Sequence, residues 1–389
     1  MTGIGSMLGA LLGSAALDNG ILLVVSFLLL LLGAEIFTNG VEWLGHRLGV
    51  SESATGSILA AVGTALPETM IPVIAIAQGL ISGDMSAADH VGVGAILGAP
   101  FMLATIAMFL IGVSVIYFGS RREYGKHFHF NSLSTRRDLS FFLVGYTLAF
   151  LAALVSSRIV AVGIAFVLVG LYVVYVHRSL QSGTLIEDES LEALYLGAIV
   201  EEGEEPFPNL GFEEDHGNNP HKFLVLTQTA IALAIIIGGA HLFVNEVSFF
   251  ATEVLHFPTA ILALLLAPLA TELPEKFNSI LWISRNKDTL AIGNITGAMA
   301  FQGTLPVTLG ILFTSWNLTL EWGTTGFLNA FSAILAIVSG LILYFRARTV
   351  GDGSMEPVPF LIGGLFYAVF IVVTVYHVLF LGVSVAGGH

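Results

Sequence analysis

Ten apolar runs, most of them near 20 residues or longer, occupy most of this chain. They lie near 20–43, 52–80, 90–118, 139–156, 159–177, 223–246, 257–283, 289–314, 325–345 and 357–382. About 20 apolar residues in a helix cross the hydrocarbon core of a bilayer. Inside lipid every backbone N–H and C=O needs a partner within the protein, so runs of this kind read as helices. The expectation is an all-α membrane protein with ten transmembrane helices. Only 11% of the residues are charged, against about 25% in soluble domains. The second, third, seventh and eighth runs are long and interrupted by Gly or Pro, the pattern of discontinuous helices that form transport sites.

Loop charge gives an orientation. Call X the side reached after the first span. Arg47, Arg121, Arg122, Lys126, Arg136, Arg137, Arg178, Lys222, Arg285, Lys287, Arg346 and Arg348 all fall in X loops, which is 12 of the 14 basic residues. Arg158 lies on the other side and Lys276 within a span. Short loops rich in Lys and Arg stay in the cytoplasm. X therefore reads as cytoplasmic, with both termini outside. Residues 1–17 hold no Lys or Arg, so a signal peptide is not expected. Residues 178–222 form the one long polar stretch and carry much of the net charge of −14. They read as a solvated acidic linker between a first five-helix unit, 1–177, and a second, 223–389.

The two units repeat one another. Gly33-Ala34-Glu35-Ile36-Phe37-Thr38-Asn39 resembles Gly239-Ala240-His241-Leu242-Phe243-Val244-Asn245. Gly94-Ala95-Ile96-Leu97-Gly98-Ala99 resembles Gly293-Asn294-Ile295-Thr296-Gly297-Ala298. Between these lie Gly63-Thr64-Ala65-Leu66-Pro67-Glu68 and Ala270-Thr271-Glu272-Leu273-Pro274-Glu275, whose last carboxylates stand 207 positions apart. Five spans per repeat invert the second copy relative to the first, and such inverted repeats place a site between them at the midplane.

A carboxylate at membrane depth is costly and marks a functional site. A Pro within a helix frees the carbonyl one turn earlier, here Gly63 and Ala270. Thr64 and Thr271 add hydroxyls, so each motif assembles oxygens suited to a hard cation. Glu272 and Lys276 are four apart and share a helix face. They read as an internal ion pair, or as an extra cation or proton site tuned by Lys276. Asn294 and Gln302 are further candidate oxygen ligands. Glu35 and His241 occupy matching places, as a proton relay or as cavity lining. The glycines of 92–98 and 293–303 suit close helix packing. No P-loop, dinucleotide fingerprint or catalytic triad is present, and no cysteine offers a thiolate. No basic surface for nucleic acid is present either. The partners expected are inorganic cations and the lipid bilayer. No resident cofactor is expected, and an enzyme is not.

The paired motifs resemble the alpha repeats of the calcium/cation antiporter superfamily, nearest its sodium/calcium exchanger branch. The family pattern is roughly Gly-Thr-Ser-x-Pro-Glu followed by Gly-Asn-x-x-Gly-Ser-Asn. The resemblance implies an antiporter exporting a divalent cation, usually calcium, against sodium or protons. It assigns calcium ligation to Glu68, Glu275, Thr64 and Thr271. The departures are Ala65 and Glu272 in place of Ser, and Gly98-Ala99-Pro100 and Gly297-Ala298-Met299 in place of Gly-Ser-Asn. Ala95 also stands where Asn294 has its partner, and the first repeat spaces Glu68 from Gly94 by 26 positions, against 18 from Glu275 to Gly293. With fewer side-chain oxygens for sodium, the expectation leans toward protons or a weaker sodium requirement. A non-transporting sensor or scaffold on the same fold, and an intramembrane metal-dependent hydrolase, are the alternatives.

Overall fold

The computed structural model describes residues 14–83, 93–181, 191–202, 220–249, 253, 272–316, 318–350 and 353–382. Helix α1 spans Ser14–Arg47. Helix α2 is continuous through Glu52–Ala54, a π-helical Thr55–Ala60 and Ala61–Ser82. It ends at Gly83, whose φ of 77° lets its N–H cap the Gly79 carbonyl. Helix α3 runs Val93–Met102, a π-helical Leu103–Ala107 and Met108–Phe118, with Pro100 inside it. Helices α4, Ser132–Leu154, and α5, Arg158–Leu180, complete the first repeat. A short α6, Tyr195–Glu202, precedes α7, Lys222–Phe249. Then come α8, Leu273–Ser284, α9, Asp288–Gln302, α10, Leu305–Phe313, α11, Thr325–Thr349, and α12, Val358–Leu381.

Eight helices are long and apolar enough to cross a membrane among the described residues: α1, α3, α4, α5, α7, α9 with α10, α11 and α12. The remaining two expected spans are α2 and the run 257–283, of which α8 is the main described part. Helix α4 starts at Ser132 rather than 139 because the Asn131 side chain accepts from the Leu133 and Ser134 N–H groups, both at 3.1 Å. The interruptions expected from Gly and Pro take two forms. Pro100 cannot donate, and α3 passes into a π-helical turn whose Ala104 carbonyl accepts from Ser339 of α11. The 289–314 run breaks after Gln302, and Pro306 sits in the first turn of α10, where its missing N–H costs nothing.

The inversion of the repeats is visible in the packing of α1 on α7. Gly33 lies against Ile236, Gly40 against Thr229, and Gly239 against Leu30. Numbers fall along α7 as they rise along α1, so the first helices of the two repeats run antiparallel. Gly33 and Gly239 occupy matching places in their repeats. The central helices α2 and α9 also meet through glycine. A Cβ on Gly56 would stand 2.9 Å from the Leu290 carbonyl oxygen, and one on Gly293 3.2 Å from the Ser57 nitrogen. The glycine stretch 293–303 thus packs closely, as its composition suggested. Phe37, Ile96, Phe142, Trp282 and Ile295 lie in one continuous apolar core around this crossing.

The loops rich in basic residues gather at one end. There β1, Phe128–His129, pairs antiparallel with β2, Ser354–Met355. Buried Arg122 pairs with Asp288, which also accepts from the His129 N–H at 2.8 Å. Lys287 pairs with Glu42, whose other oxygen accepts from the Trp282 indole at 2.8 Å.

The acidic linker is not solvated along its whole length. Leu194 is buried against Trp43, Leu224 and Val225. Trp43 Nε1 donates to the Glu192 carbonyl at 2.9 Å, and Gln228 of α7 accepts from the Leu196 N–H at 2.7 Å. Tyr195 donates at 2.7 Å to Glu35, which also pairs with Arg285. Burial, then the hydrogen bond and charge of Glu35, push the Tyr195 phenol up to about 12, so it stays the donor at neutral pH.

Candidate cation-binding site

The site is built where α2, α8 and α9 meet. Thr64 of α2 is buried, and its hydroxyl proton goes to the Ala60 carbonyl at 2.9 Å. The hydroxyl oxygen keeps acceptor capacity, the property a cation ligand needs. Its next neighbour is Asn294 Oδ1 of α9, at 3.5 Å. Asn294 in turn donates through Nδ2 to the Glu275 carbonyl at 3.0 Å and to Ser279 Oγ at 3.2 Å. One amide therefore faces the Thr of the first repeat and donates to the main chain of the Glu of the second. Asn294 acts here as a positioning group, with its Oδ1 facing Thr64.

Glu275 is fully buried, and among the described residues neither carboxylate oxygen has a hydrogen-bond partner within 3.5 Å. It lies in the first turn of α8, where the unpaired N–H groups of a helix end favour negative charge. This differs from the mid-helix proline expected from the sequence. Pro274 lies in the first turn of α8, after Glu272 at φ −89° and ψ 8°, so it frees no carbonyl inside a described helix. The same string suits both settings, because Pro is also favoured where a helix starts. Ala270 and Thr271 lie outside the described residues, and so does the side chain of Glu68. The backbone of Glu68 lies in α2, as does that of Gly63, whose carbonyl Pro67 leaves without its usual helical donor.

Glu272 and Lys276 form the ion pair their spacing suggests. Lys276 Nζ lies 2.9 Å from Glu272 Oε2 and 3.2 Å from the Glu272 carbonyl, with both side chains 1% exposed. Among the described residues Glu272 Oε1 has no hydrogen-bond partner. Gln302 is brought to α2 a turn from Thr64, with Nε2 3.5 Å from both the Ala65 carbonyl and Thr69 Oγ1. Glu35 and His241 are not brought together as a relay. Glu35 is held by Arg285 and Tyr195 at the basic end, and His241 is exposed.

Three buried polar residues escaped the sequence reading. Asn278 is fully buried, and among the described residues neither its Oδ1 nor its Nδ2 is bonded. Ser279 accepts from Asn294 and donates to the Ala291 carbonyl at 3.1 Å. Both follow Glu275 by one helical turn, which is the signal that could have marked them. Asp138 of α4, fully buried, accepts from Ser57 at 2.6 Å and from Thr296 at 2.9 Å through the same oxygen. Its Oδ1 accepts from Arg137. Asp138 thus pins the crossing of α2 and α9 from the side. No sequence signal marked it, because beside Arg136 and Arg137 it reads as part of a charged loop.

Chemically, the described part offers unpaired oxygens of Glu275, Glu272 and Asn278, with the hydroxyl of Thr64 adjoining. All are hard donors without a thiolate or imidazole, a set that suits hard cations.

Known proteins share this architecture. Two solved structures of the sodium-calcium exchanger NCX_Mj have the same fold. The one soaked with 100 mM Na+ and 10 mM Sr2+ gives a TM-score of 0.65 at 19% identity, over 91% of this chain and 97% of that one. The one soaked with 10 mM Na+ and zero Ca2+ gives 0.64 at 20% identity, over 91% and 98%. The fold is thus that of ten helices in two inverted repeats. In sequence, the sodium/calcium exchanger MaX1 of Methanosarcina acetivorans is 29% identical over 89 residues, 22% of this chain and 25% of that protein. The uncharacterized membrane protein MJ0091 of Methanocaldococcus jannaschii is 31% identical over 87 residues, 21% of this chain and 29% of that protein. The matches span about a quarter of the length of these curated relatives. Residues 19–181 and 224–379, most of both repeats, match the family described as sodium/calcium exchanger protein, and the chain belongs to that family.

Proposed function

We propose that this chain is a secondary antiporter that moves a divalent cation, calcium foremost, across the membrane in exchange for sodium ions or protons. The observation that carries this reading is Glu275, fully buried with both oxygens unbonded among the described residues, its main chain held by Asn294, whose Oδ1 faces Thr64 of the other repeat. A carboxylate in that setting is stable with a cation or a proton in place and costly without one. Glu275, Thr64 and Glu272 line the described part of the binding place. Glu68 and Thr271 complete it by the symmetry of the repeat, with the carbonyls of Gly63 and Ala270. Asn294 and Gln302 hold the α2–α9 contact in register. Residues 1–177 and 223–389 are the two transporting repeats, joined by the cytoplasmic linker 178–222, with both termini outside.

The test is divalent efflux from vesicles containing the purified chain, with sodium and pH gradients imposed separately. Flux driven by either gradient sustains the reading and names the counter-ion. No flux of calcium, magnesium or manganese under either gradient would reject it in favour of a non-transporting sensor or scaffold.

A further inference from the structure

Glu272, Glu275 and Lys276 lie within one turn of the start of α8, and all three are buried. A lone ammonium at membrane depth is expensive and is retained only with partners. Lys276 has two, Oε2 and the main-chain oxygen of Glu272. The surrounding oxygens are not used up. Among the described residues, Oε1 of Glu272 and both oxygens of Glu275 have no hydrogen bond. A fixed cation and three vacant carboxylate oxygens therefore share one face of one helix turn. Nearby, Ala65, Ala298 and Met299 are buried and bring no side-chain oxygen for additional ions.

We propose that Lys276 is a resident cation of the transport site. It neutralises Glu272 in the place of one monovalent ion, so that exchange is electroneutral, one divalent cation for two monovalent charges. This inference rests on the antiporter reading. The charge count is direct. Glu68, which the antiporter reading assigns to the site by the repeat, brings one negative charge with Glu275 and Glu272, three in all, and Lys276 brings one positive. The site carries −2, which one divalent ion or two monovalent ions cancel. Either loaded form then crosses the membrane without an unbalanced charge, the arrangement that low dielectric favours. Without Lys276 the site would carry −3. Its monovalent form would take three ions, and each cycle would then move one net charge.

The experiment uses the purified full chain in potassium-loaded vesicles, with valinomycin setting the potential and the driving gradient held constant. The steady-state divalent gradient is the readout. For the natural chain it is expected to stay within about twofold across the imposed potentials. In Lys276→Gln it is expected to shift about tenfold for every ~60 mV, the value of one net charge per cycle. The double variant Glu272→Gln/Lys276→Met restores the count of −2 without leaving a buried lone charge. It is expected to ignore the potential, and it covers the case in which Lys276→Gln does not fold. A natural chain that transports the divalent ion but follows the potential tenfold per ~60 mV would overturn the proposal and leave the antiporter reading intact. So would a double variant that follows it. No divalent flux from the natural chain at any potential would reject the antiporter reading itself, and this inference with it.

Discussion

Asp138→Ala removes the group that pins the central helix crossing. One oxygen of Asp138 accepts from Ser57 at 2.6 Å and Thr296 at 2.9 Å, and the other from Arg137 Nε at 3.1 Å and Nη2 at 2.9 Å. Hydrogen bonds to a charged group contribute about 1.5–3 kcal/mol each. Two effects offset part of that. The Thr296 hydroxyl also reaches the Ile292 carbonyl at 2.9 Å, so it keeps an acceptor. Arg137 is 12% exposed and can turn toward water. Removing a buried carboxylate also removes its desolvation cost. The remaining loss, chiefly the Ser57 bond and the guanidinium pair, is about 2–4 kcal/mol. At roughly 2 °C per kcal/mol for a long chain, the thermal midpoint should fall by ~4–8 °C. Tryptophan fluorescence on heating in detergent reads this, since Trp282 is fully buried in the core around the same crossing. Asp138→Asn keeps an oxygen for Ser57 and Thr296 and should lose about half as much. An unchanged midpoint for Asp138→Ala would refute the reasoning. An unchanged midpoint with lost ion flux would move Asp138 from the scaffold to the transport path.

Glu275→Gln and Glu68→Gln are each expected to lower divalent flux at least ~100-fold in folded protein, because a unit charge ~4 Å from the ion is worth about 4 kcal/mol at an effective dielectric near 20. Near-normal flux in both would remove the carboxylates from the site. Asn278→Leu replaces an unbonded buried amide with an apolar side chain of similar size and should stabilise the fold by ~1 kcal/mol. Weaker divalent binding by calorimetry would accompany it, and unchanged affinity would show that Asn278 is no ligand. A single cysteine at Ser190 should resist an impermeant maleimide in intact cells and react after permeabilisation. Reaction in intact cells would invert the topology.

How much of this was legible follows from what each pattern encodes. Span number depends on bilayer thickness, so apolar length alone reports it. The inversion was legible because Gly33 and Gly239 recur in matching motifs, and five spans per repeat force opposite directions. The Glu272–Lys276 pair was legible because contacts four apart on a helix are local. The linker's docking was not. Asn39 donates to the Ala193 carbonyl at 3.2 Å, and Gln228 accepts from the Leu196 N–H at 2.7 Å, pairings between segments with no shared periodicity. A run of acids reads as solvated wherever no such partner is known. Asp138 was hidden for a related reason. Beside Arg136 and Arg137 it looks like part of a solvated loop, and only the fold shows that α4 begins at Ser132 and carries it inward.

The repeat supplies the frame of the site, but the residues that distinguish the site come from the second copy alone. With Glu68 aligned on Glu275, Glu272 stands where the first repeat has Ala65, Lys276 where it has Thr69, Asn278 where it has Ile71 and Ser279 where it has Pro72. Each replaces an apolar or weakly polar group by one that is charged or hydrogen-bonding, and all four are buried. Burial of polar groups costs free energy unless they are satisfied or used. Ser279 is satisfied by Asn294 and Ala291, whereas Asn278 and one oxygen of Glu272 are not. Two halves with unequal charges cannot bind ions equivalently, even where their backbones are related by symmetry. On the antiporter reading proposed above, the choice of ion and the number exchanged reside in α8, while α2 contributes the hydroxyl of Thr64 and the surface against which α8 and α9 are held.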